Sequence, residues 1–365
     1  ANMKIKDQPV TLKGTAGNIK IQRMPDGFPR IESDEPIDLH YGLGYTHGHD
    51  RQMQMWLMKI IGRGRASELL KADEELIELD KFMRWINLGG DTADEVHHLS
   101  AETNAIFAAY CQGVNDAVVD CKTPFEFKLT GYKPDSWTPE DIILMIKMIG
   151  FVGLTQSQGD TEKFILQIIR NDLSPVKIKE LFSKITEDIS EDLIEIFKQV
   201  KLIRPIIPES IKWLGRLAGF SASNNWAISP AKTASGKAML CGDPHLSLQL
   251  PSIFYSALMR CRDFYMMGAT LPGVPSVMLG RSPHLAWSAT YGTMDMIDYF
   301  IEEVRDKKCR RGDEWMSFAV REEIIKPKKK NPIRLKIYEN DHGILEGEPE
   351  EDGYYLNFAL SLIHI

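Results

Sequence analysis

Cysteine is scarce and unpatterned in this sequence. Five are spread over 365 residues, at positions 111, 121, 241, 261 and 309, an odd number with no CxxC pair. That argues against a disulfide framework or a zinc cluster and leaves free thiols. Long apolar runs are missing too. None reaches the roughly 20 residues that span a bilayer, so no membrane partner is expected. The stretch Ala1 to Gly14 is polar and charged, without the apolar core of a signal peptide. A cytoplasmic chain, or one supplied without its leader, both fit. A basic excess is absent: the formal net charge is -7. Nucleic acid is therefore not an expected partner, because phosphate binding needs a basic surface. Internal repeats are absent as well.

What is present is the composition of a soluble globular protein, with 43% hydrophobic residues. One large or two ordinary domains can be filled. The chain changes character near residue 220. VTLKG and NIKIQRM read as a strand pair, with a turn at Pro25-Asp26-Gly27. From about Asp38 to Gly219 the apolar period is helical, with Met53, Trp56, Leu57 and Ile60 on one face. Ala101 to Cys121 reads as another amphipathic helix. Thr138-Pro139-Glu140-Asp141 reads as a helix start: a capping hydroxyl, a proline for the first turn, and acids that suit the helix dipole. The following DIILMIKMIGFVGL is apolar nearly all round and should be buried.

After Gly219 short strands dominate: NNWAISP, KAMLCG, FYSALMR, DFYMMGA, SVMLG, HLAWSAT, DYFIEEV and, near the end, YYLNFAL. Gly, Pro and Asp break them, the texture of an antiparallel sheet. Lys326 to Pro332, KPKKKNP, reads as a solvated turn. The closing SLIHI lacks a cap or a polar finish, which predicts a longer gene.

For chemistry the informative stretch is Ser221-Ala222-Ser223-Asn224-Asn225-Trp226-Ala227-Ile228, followed by Thr233-Ala234-Ser235-Gly236-Lys237 and Gly242-Asp243-Pro244-His245-Leu246. On spacing alone, small polar residues before a strand read as a turn, and no GxSxG elbow surrounds Ser223. His40, His47 and His49 with Asp50 tempt a metal reading, but H-x6-H-x-H is no standard zinc spacing.

The block SNNWAISPAKTASGKAMLCGDPHL is very similar to the start of the catalytic chain in the penicillin acylase family of N-terminal-nucleophile hydrolases. The resemblance runs over most of residues 18 to 360. DGFPRI and DLHYGLGYTHGHDRQMQMWLMKIIGRGRASEL resemble the family's first block, GYKPDSWTPEDI its middle block, and LPGVPSVMLGRSPHLAWSAT with MDMIDYF the strands after the nucleophile. Several blocks in order turn Ser223 from a turn residue into a nucleophile.

The resemblance implies an α+β, four-layer αββα sandwich, here incomplete, with a mostly helical first segment. It implies a first-chain region over 1–200, a candidate spacer over 201–222, and the start of a catalytic second chain over 223–365. Cutting between Ala222 and Ser223 would yield two chains of one precursor, forming a heterodimer, in the periplasm or outside the cell. The activity implied is amidohydrolysis of a small acyl amide: a β-lactam, an N-acyl homoserine lactone or a related compound. Ser223 would be nucleophile and, through its freed α-amino group, base; His245 would orient it. The backbone N–H of Tyr291 would be one oxyanion donor, and the family's second is an asparagine beyond Ile365. Leu246 and Leu279 would line the acyl pocket, with residues near Val152 and Gln156. Glu162, Asp295, Ile297 and Asp298 would hold a structural Ca2+ ion through hard oxygens; no organic cofactor is implied. Asp50 and Arg51 match a helix start and make structural hydrogen bonds and an ion pair.

Three departures stand out. Ala222 replaces a common glycine, Arg281-Ser282-Pro283 stands where many members have an asparagine, and Ile344 replaces the proline of an H-G-P-[IV] turn. None removes the nucleophile, and together they leave room for a divergent or slow enzyme; the alternative reading is a non-catalytic relative of the same fold that binds or scaffolds.

Overall fold

Alternating isoleucines set the first layer. In the computed structural model, residues 9–151, 156–170, 176–177, 180, 190–203, 223–246, 250–290 and 296–360 are described. Strands β1 (Val10–Lys13), β2 (Asn18–Arg23) and β3 (Pro29–Glu32) form an antiparallel meander. The expected strand pair thus gains a third member after the Pro25-Asp26-Gly27 turn, where Gly27 takes a φ of 88° that suits a residue without Cβ. Ile19, Ile21 and Ile31 point to one face and are buried.

That face is covered by the helix α1 (Pro36–Gly62). Short α2 (Ala66–Leu69), α3 (Glu74–Ile86) and α4 (Thr92–His97) follow, and then α5 (Ala101–Asp120) packs along α1. Glycines let the two helices touch backbone to backbone. A Cβ at Gly44 would sit 2.1 Å from the Tyr110 carbonyl, and one at Gly113 2.0 Å from that of Tyr41. After α6 (Phe125–Thr130), helix α7 (Pro139–Ile149) starts on the expected cap. Thr138 and Asp141 form a reciprocal capping box, and Ile142, Leu144, Met145 and Met148 are buried. Helices α8 (Gln156–Arg170) and α9 (Glu191–Gln199) complete the described first segment.

Strands then dominate, as the Gly, Pro and Asp breaks predict. They are β4 (Ser223–Ile228), β5 (Met239–Pro244), β6 (Tyr255–Cys261), β7 (Phe264–Thr270), β8 (Val277–Arg281) and β9 (Ala286–Trp287). Next come β10 (Ile297–Arg305), β11 (Lys308–Arg311), β12 (Glu314–Ser317), β13 (Ala319–Ile325), β14 (Ile333–Asn340), β15 (Gly343–Leu345) and β16 (Gly353–Leu360). One sheet runs β1-β2-β3-β6-β7-β8-β9, a second runs β12-β11-β10-β16-β15-β14-β13, and β4 pairs with β5 alone. The parallel pairing of β3 with β6 welds the two halves of the sequence into one sheet. The architecture is α+β, and the main core draws side chains from the helices and from both large sheets. Among the described residues no helix is long and apolar enough to cross a membrane.

The halves are also tied by polar contacts. Arg321 on β13 donates to the Arg84 and Trp85 carbonyls at the end of α3, at 2.9 and 3.0 Å, and Trp85 Nε1 donates to the Leu345 carbonyl at 3.2 Å. Lys163 of α8 forms a buried ion pair with Glu346 and lies 5.1 Å from the Tyr299 ring centre. Lys201 N–H donates to the Tyr354 carbonyl at 2.9 Å, and Val200 beside it is fully buried.

Asp50 stands at a kink within α1, where Arg51 leaves helical geometry (φ -131°, ψ 17°) and the second helical segment of α1 begins. The structural role expected for the pair holds. The Asp50 carboxylate accepts from Tyr255 Oη (2.5 Å), Arg23 Nη2 (2.8 Å) and His49 Nδ1 (2.7 Å), while Arg51 donates to the Ser252 carbonyl. Burial alone would raise the Asp50 pKa, but His49, Arg23 and Tyr255 outweigh it and hold the carboxyl at about 2. The same hydrogen bond to Asp50 lifts His49 to about 10. A carboxylate depressed in the folded state stabilises above its ordinary pKa of about 3.9 and loses that stabilisation as pH falls toward the folded value. Asp50→Asn should therefore lower unfolding free energy by about 2–3 kcal/mol at pH 7. The gap from wild type should narrow below about pH 4. Urea unfolding across that range checks it; a gap that does not change with pH contradicts the account.

Candidate active site

A hairpin presents Ser223. Strand β4 pairs antiparallel with β5, from Ser223 opposite Pro244 to Ile228 opposite Met239. The connecting turn is closed by Thr233 Oγ1 donating to the Lys237 carbonyl at 2.8 Å, with Gly236 at a φ of 65°. Ser223 is thus the first residue of its strand and is half-buried.

A second segment runs beside the hairpin. After β9, which pairs with β8, Ser288 Oγ donates to Asn225 Oδ1 at 2.8 Å. Two residues on, Thr290 Oγ1 lies 2.5 Å from Ser223 Oγ and also donates to the Ser223 carbonyl at 3.3 Å. Gly242 of β5 backs the first contact. A Cβ there would stand 1.8 Å from Ser288 Oγ and 2.7 Å from Ser288 Cβ. Trp287 Nε1 donates to the Val277 carbonyl at 3.1 Å and anchors this segment to the large sheet.

His245 follows the residue paired with Ser223. Its Nε2 lies 3.1 Å from Asp243 Oδ2 and 3.2 Å from Asn224 Nδ2. One ring nitrogen cannot serve both: it donates to the carboxylate as N–H, or accepts from the amide as bare nitrogen. The ring thus sits against Asn224, the neighbour of Ser223. Leu246 follows it, half-buried; Leu279 is half-buried in β8, paired with Ala269. Ala222, Tyr291, Asp295 and Val152 lie outside the described residues, as does the Gln156 side chain.

The residues expected to hold Ca2+ come from elements that meet. Helix α8 with Glu162 packs on β10, whose first residues are Ile297, buried, and Asp298, exposed. Among the described residues no group of three or more His, Cys, Asp and Glu side chains is arranged to hold a metal. Two histidines of α1 have partners of their own. His49 bonds to Asp50. His47 is buried, with Nδ1 2.7 Å from Tyr110 Oη and Nε2 2.9 Å from Thr270 Oγ1. Thr270 gives its proton to the Tyr255 carbonyl, and Tyr110 Oη accepts from the Gly273 N–H. His47 therefore donates through Nε2 and accepts at Nδ1, and burial lowers its pKa to about 3, which keeps it neutral.

Sequence reasoning passed over Ser288 and Thr290, and it quoted Asn225 and Asp243 without giving them a role. A signal existed: Ser288 and Thr290, like Ser223 and Asn225, are two apart, the spacing that puts side chains on one face of an extended segment.

The penicillin amidase family matches residues 18–363 of this chain. The acyl-homoserine lactone acylase QuiP of Pseudomonas fluorescens (strain Pf0-1) is 30% identical to it, over 96% of this chain and 44% of that protein. The penicillin acylase 2 proenzyme of Pseudomonas sp. (strain SE83) is 28% identical, over 94% of this chain and 45% of its own length. The chain thus spans less than half the length of these curated relatives. Among solved structures, a thermostable penicillin G acylase from Alcaligenes faecalis is similar at 18% identity and a TM-score of 0.39, over 50% of this chain and 95% of that one.

The close approach at Gly242 gives a test of the geometry. Gly242→Ala should destabilise by about 1–3 kcal/mol through overpacking against Ser288. The double variant Gly242→Ala/Ser288→Gly, which clears the clash, should recover part of that loss. Thermal unfolding of both checks this, and a double variant weaker than the single one refutes it.

Proposed function

The chain belongs to the penicillin amidase family, and from that membership we propose that it is the front part of an amidohydrolase that cuts a linear acyl–amine bond with Ser223 as nucleophile. The observation that supports this most is Ser223 itself. In a chain matched by the family over 18–363, this serine opens a strand and has its hydroxyl engaged by Thr290.

A serine hydroxyl needs a base to take its proton. A threonine hydroxyl is not one near neutral pH. Scission between Ala222 and Ser223 would create the base on the nucleophile. A free α-amino group titrates at about 7.7–8.0, so roughly a tenth is neutral at pH 7, whereas a lysine near 10.4 is almost wholly charged. The proton passes from Ser223 Oγ to that amine, directly or through one water, as Oγ bonds to the substrate carbonyl carbon. The amine product leaves with a proton, and water then hydrolyses the acyl-enzyme. The backbone N–H of Tyr291 would steady the oxyanion, with a second donor from an asparagine beyond residue 365. Loss of one such donor typically costs about 10²- to 10³-fold in rate, so residues 1–365 alone should be nearly inactive. His245 would orient Ser223 through Asn224, and Leu246 and Leu279 would meet the acyl group. The names of the relatives point to acyl-homoserine lactones and penicillins as the classes to assay first.

The same reading gives a two-chain protein with the αββα arrangement completed by further sequence. Its spacer would lie within 201–222; Val200 before it is buried, and Lys201 is hydrogen-bonded to Tyr354 on the far side of the cut. A structural calcium ion fits the donor chemistry of Glu162, Asp295, Asp298 and the Ile297 carbonyl, which are hard oxygens. These residues come from both chains, so the ion would clamp one to the other.

Three measurements on the full-length gene product test this. Intact mass should show two chains, the second beginning at Ser223, and Ser223→Ala should leave one inactive chain. An uncut, inactive wild type would favour a non-catalytic binding or scaffold protein. kcat/KM should rise with pH through the α-amino range of about 7.7–8.0; a flat profile contradicts the amine as base. EGTA should lower the melting temperature, and added calcium should restore it; an unchanged melting curve removes the ion from the scheme.

A further inference from the structure

We propose that Thr290 is the positioning residue for the Ser223 hydroxyl, an assignment that rests on Ser223 being the nucleophile. Two contacts from one hydroxyl reach the same serine. Thr290 Oγ1 is 2.5 Å from Ser223 Oγ and 3.3 Å from the Ser223 carbonyl oxygen, to which it donates. A hydroxyl has one proton to give and two lone pairs to receive with. With its proton on the carbonyl, Thr290 accepts the proton of Ser223, which fixes the direction of the Ser223 O–H bond and the rotamer of the side chain. With its proton turned onto Ser223 Oγ, Thr290 becomes a donor to the attacking oxygen. The serine proton is then released toward the amine, and the growing negative charge on Oγ gains a hydrogen bond. One short rotation about the threonine C–O bond exchanges the two states.

The rest of the segment holds Thr290 for this task. Ser288 and Thr290 meet Asn225 and Ser223 in opposite chain directions, as two rungs of a side-chain ladder. The Ser288 rung is backed by Gly242, and Trp287 fastens the segment to β8. Both chain directions are therefore fixed before the hydroxyls meet. A β-branched residue is also stiff at χ1, so threonine keeps its oxygen aimed where serine would sample other rotamers. Thr290 itself is exposed, and no core packing explains its presence.

The experiment uses full-length protein with Thr290→Val, which keeps the shape and removes the hydroxyl, and Thr290→Ser, which keeps the hydroxyl. Cutting before Ser223 is read by mass, and steady-state kinetics use an N-acyl homoserine lactone or acyl amide that the wild type cleaves. Expected for Thr290→Val is a kcat about 10- to 100-fold lower, the scale of a misaligned reacting group, with KM within about two-fold and an unchanged melting temperature. Slow or absent cutting of Thr290→Val with normal cutting of Thr290→Ser supports the proposal equally. Thr290→Ser should stay within about three-fold of wild type. A wild-type kcat in Thr290→Val, or equal damage in both variants, overturns the role of the hydroxyl while leaving Ser223 in place. An uncut and inactive wild type overturns both readings together.

Discussion

On the proposed mechanism, strand β4 has to keep Ser223 in one place whether or not a peptide bond precedes it. The backbone pairing with β5, from Ser223 opposite Pro244 onward, lets it do so. A residue at the very start of a paired strand can lose its upstream neighbour without losing its ladder. The hydroxyl contacts of Thr290 and the Ser288–Asn225 bond then fix the side chain from outside the hairpin. On the proposed mechanism these downstream contacts would survive loss of the upstream peptide bond.

Were the proposed cut made, the two pieces would have to stay assembled. Contacts that cross from the helical part to the strands could carry that duty. Arg321 covers carbonyls at the C-terminal end of α3, where the helix dipole favours a cation. Lys163 and Glu346 are both buried and pair with one another across the two parts. The parallel pairing of β3 with β6 adds main-chain hydrogen bonds to this set. None of these contacts needs residues 204–222, so severing the chain there would leave them intact.

Much of this architecture was legible from local pattern. The capping box at Thr138 and Asp141 follows from residue chemistry within one turn, and the strand run after residue 220 follows from its Gly, Pro and Asp breaks. Partnership was not legible. Nothing in PRIE says that it pairs with a strand more than two hundred residues later, because period-two patterning defines a face and leaves the neighbour open. The glycines of α1 show the same limit: the close approach of α5 requires them, and only the neighbouring helix reveals why. At the candidate site, Ser223 gained meaning only from the resemblance of the surrounding blocks. Its contact with Thr290 joins residues 67 apart, and no spacing rule reaches that far.

The hairpin that presents Ser223 shows large apolar side chains to water. Trp226 is 51% exposed and Met239 56%, with Ile228 and Leu240 close behind. Among the described residues, each strand of the hairpin is paired along one edge, β4 to β5. Bare strand edges beside oily side chains invite a neighbouring polypeptide to add on. Residues 1–365 produced in isolation would accordingly be a poor subject for crystallisation or kinetics at high concentration. Indole emission from Trp226 would shift to the blue wherever another surface came to cover it.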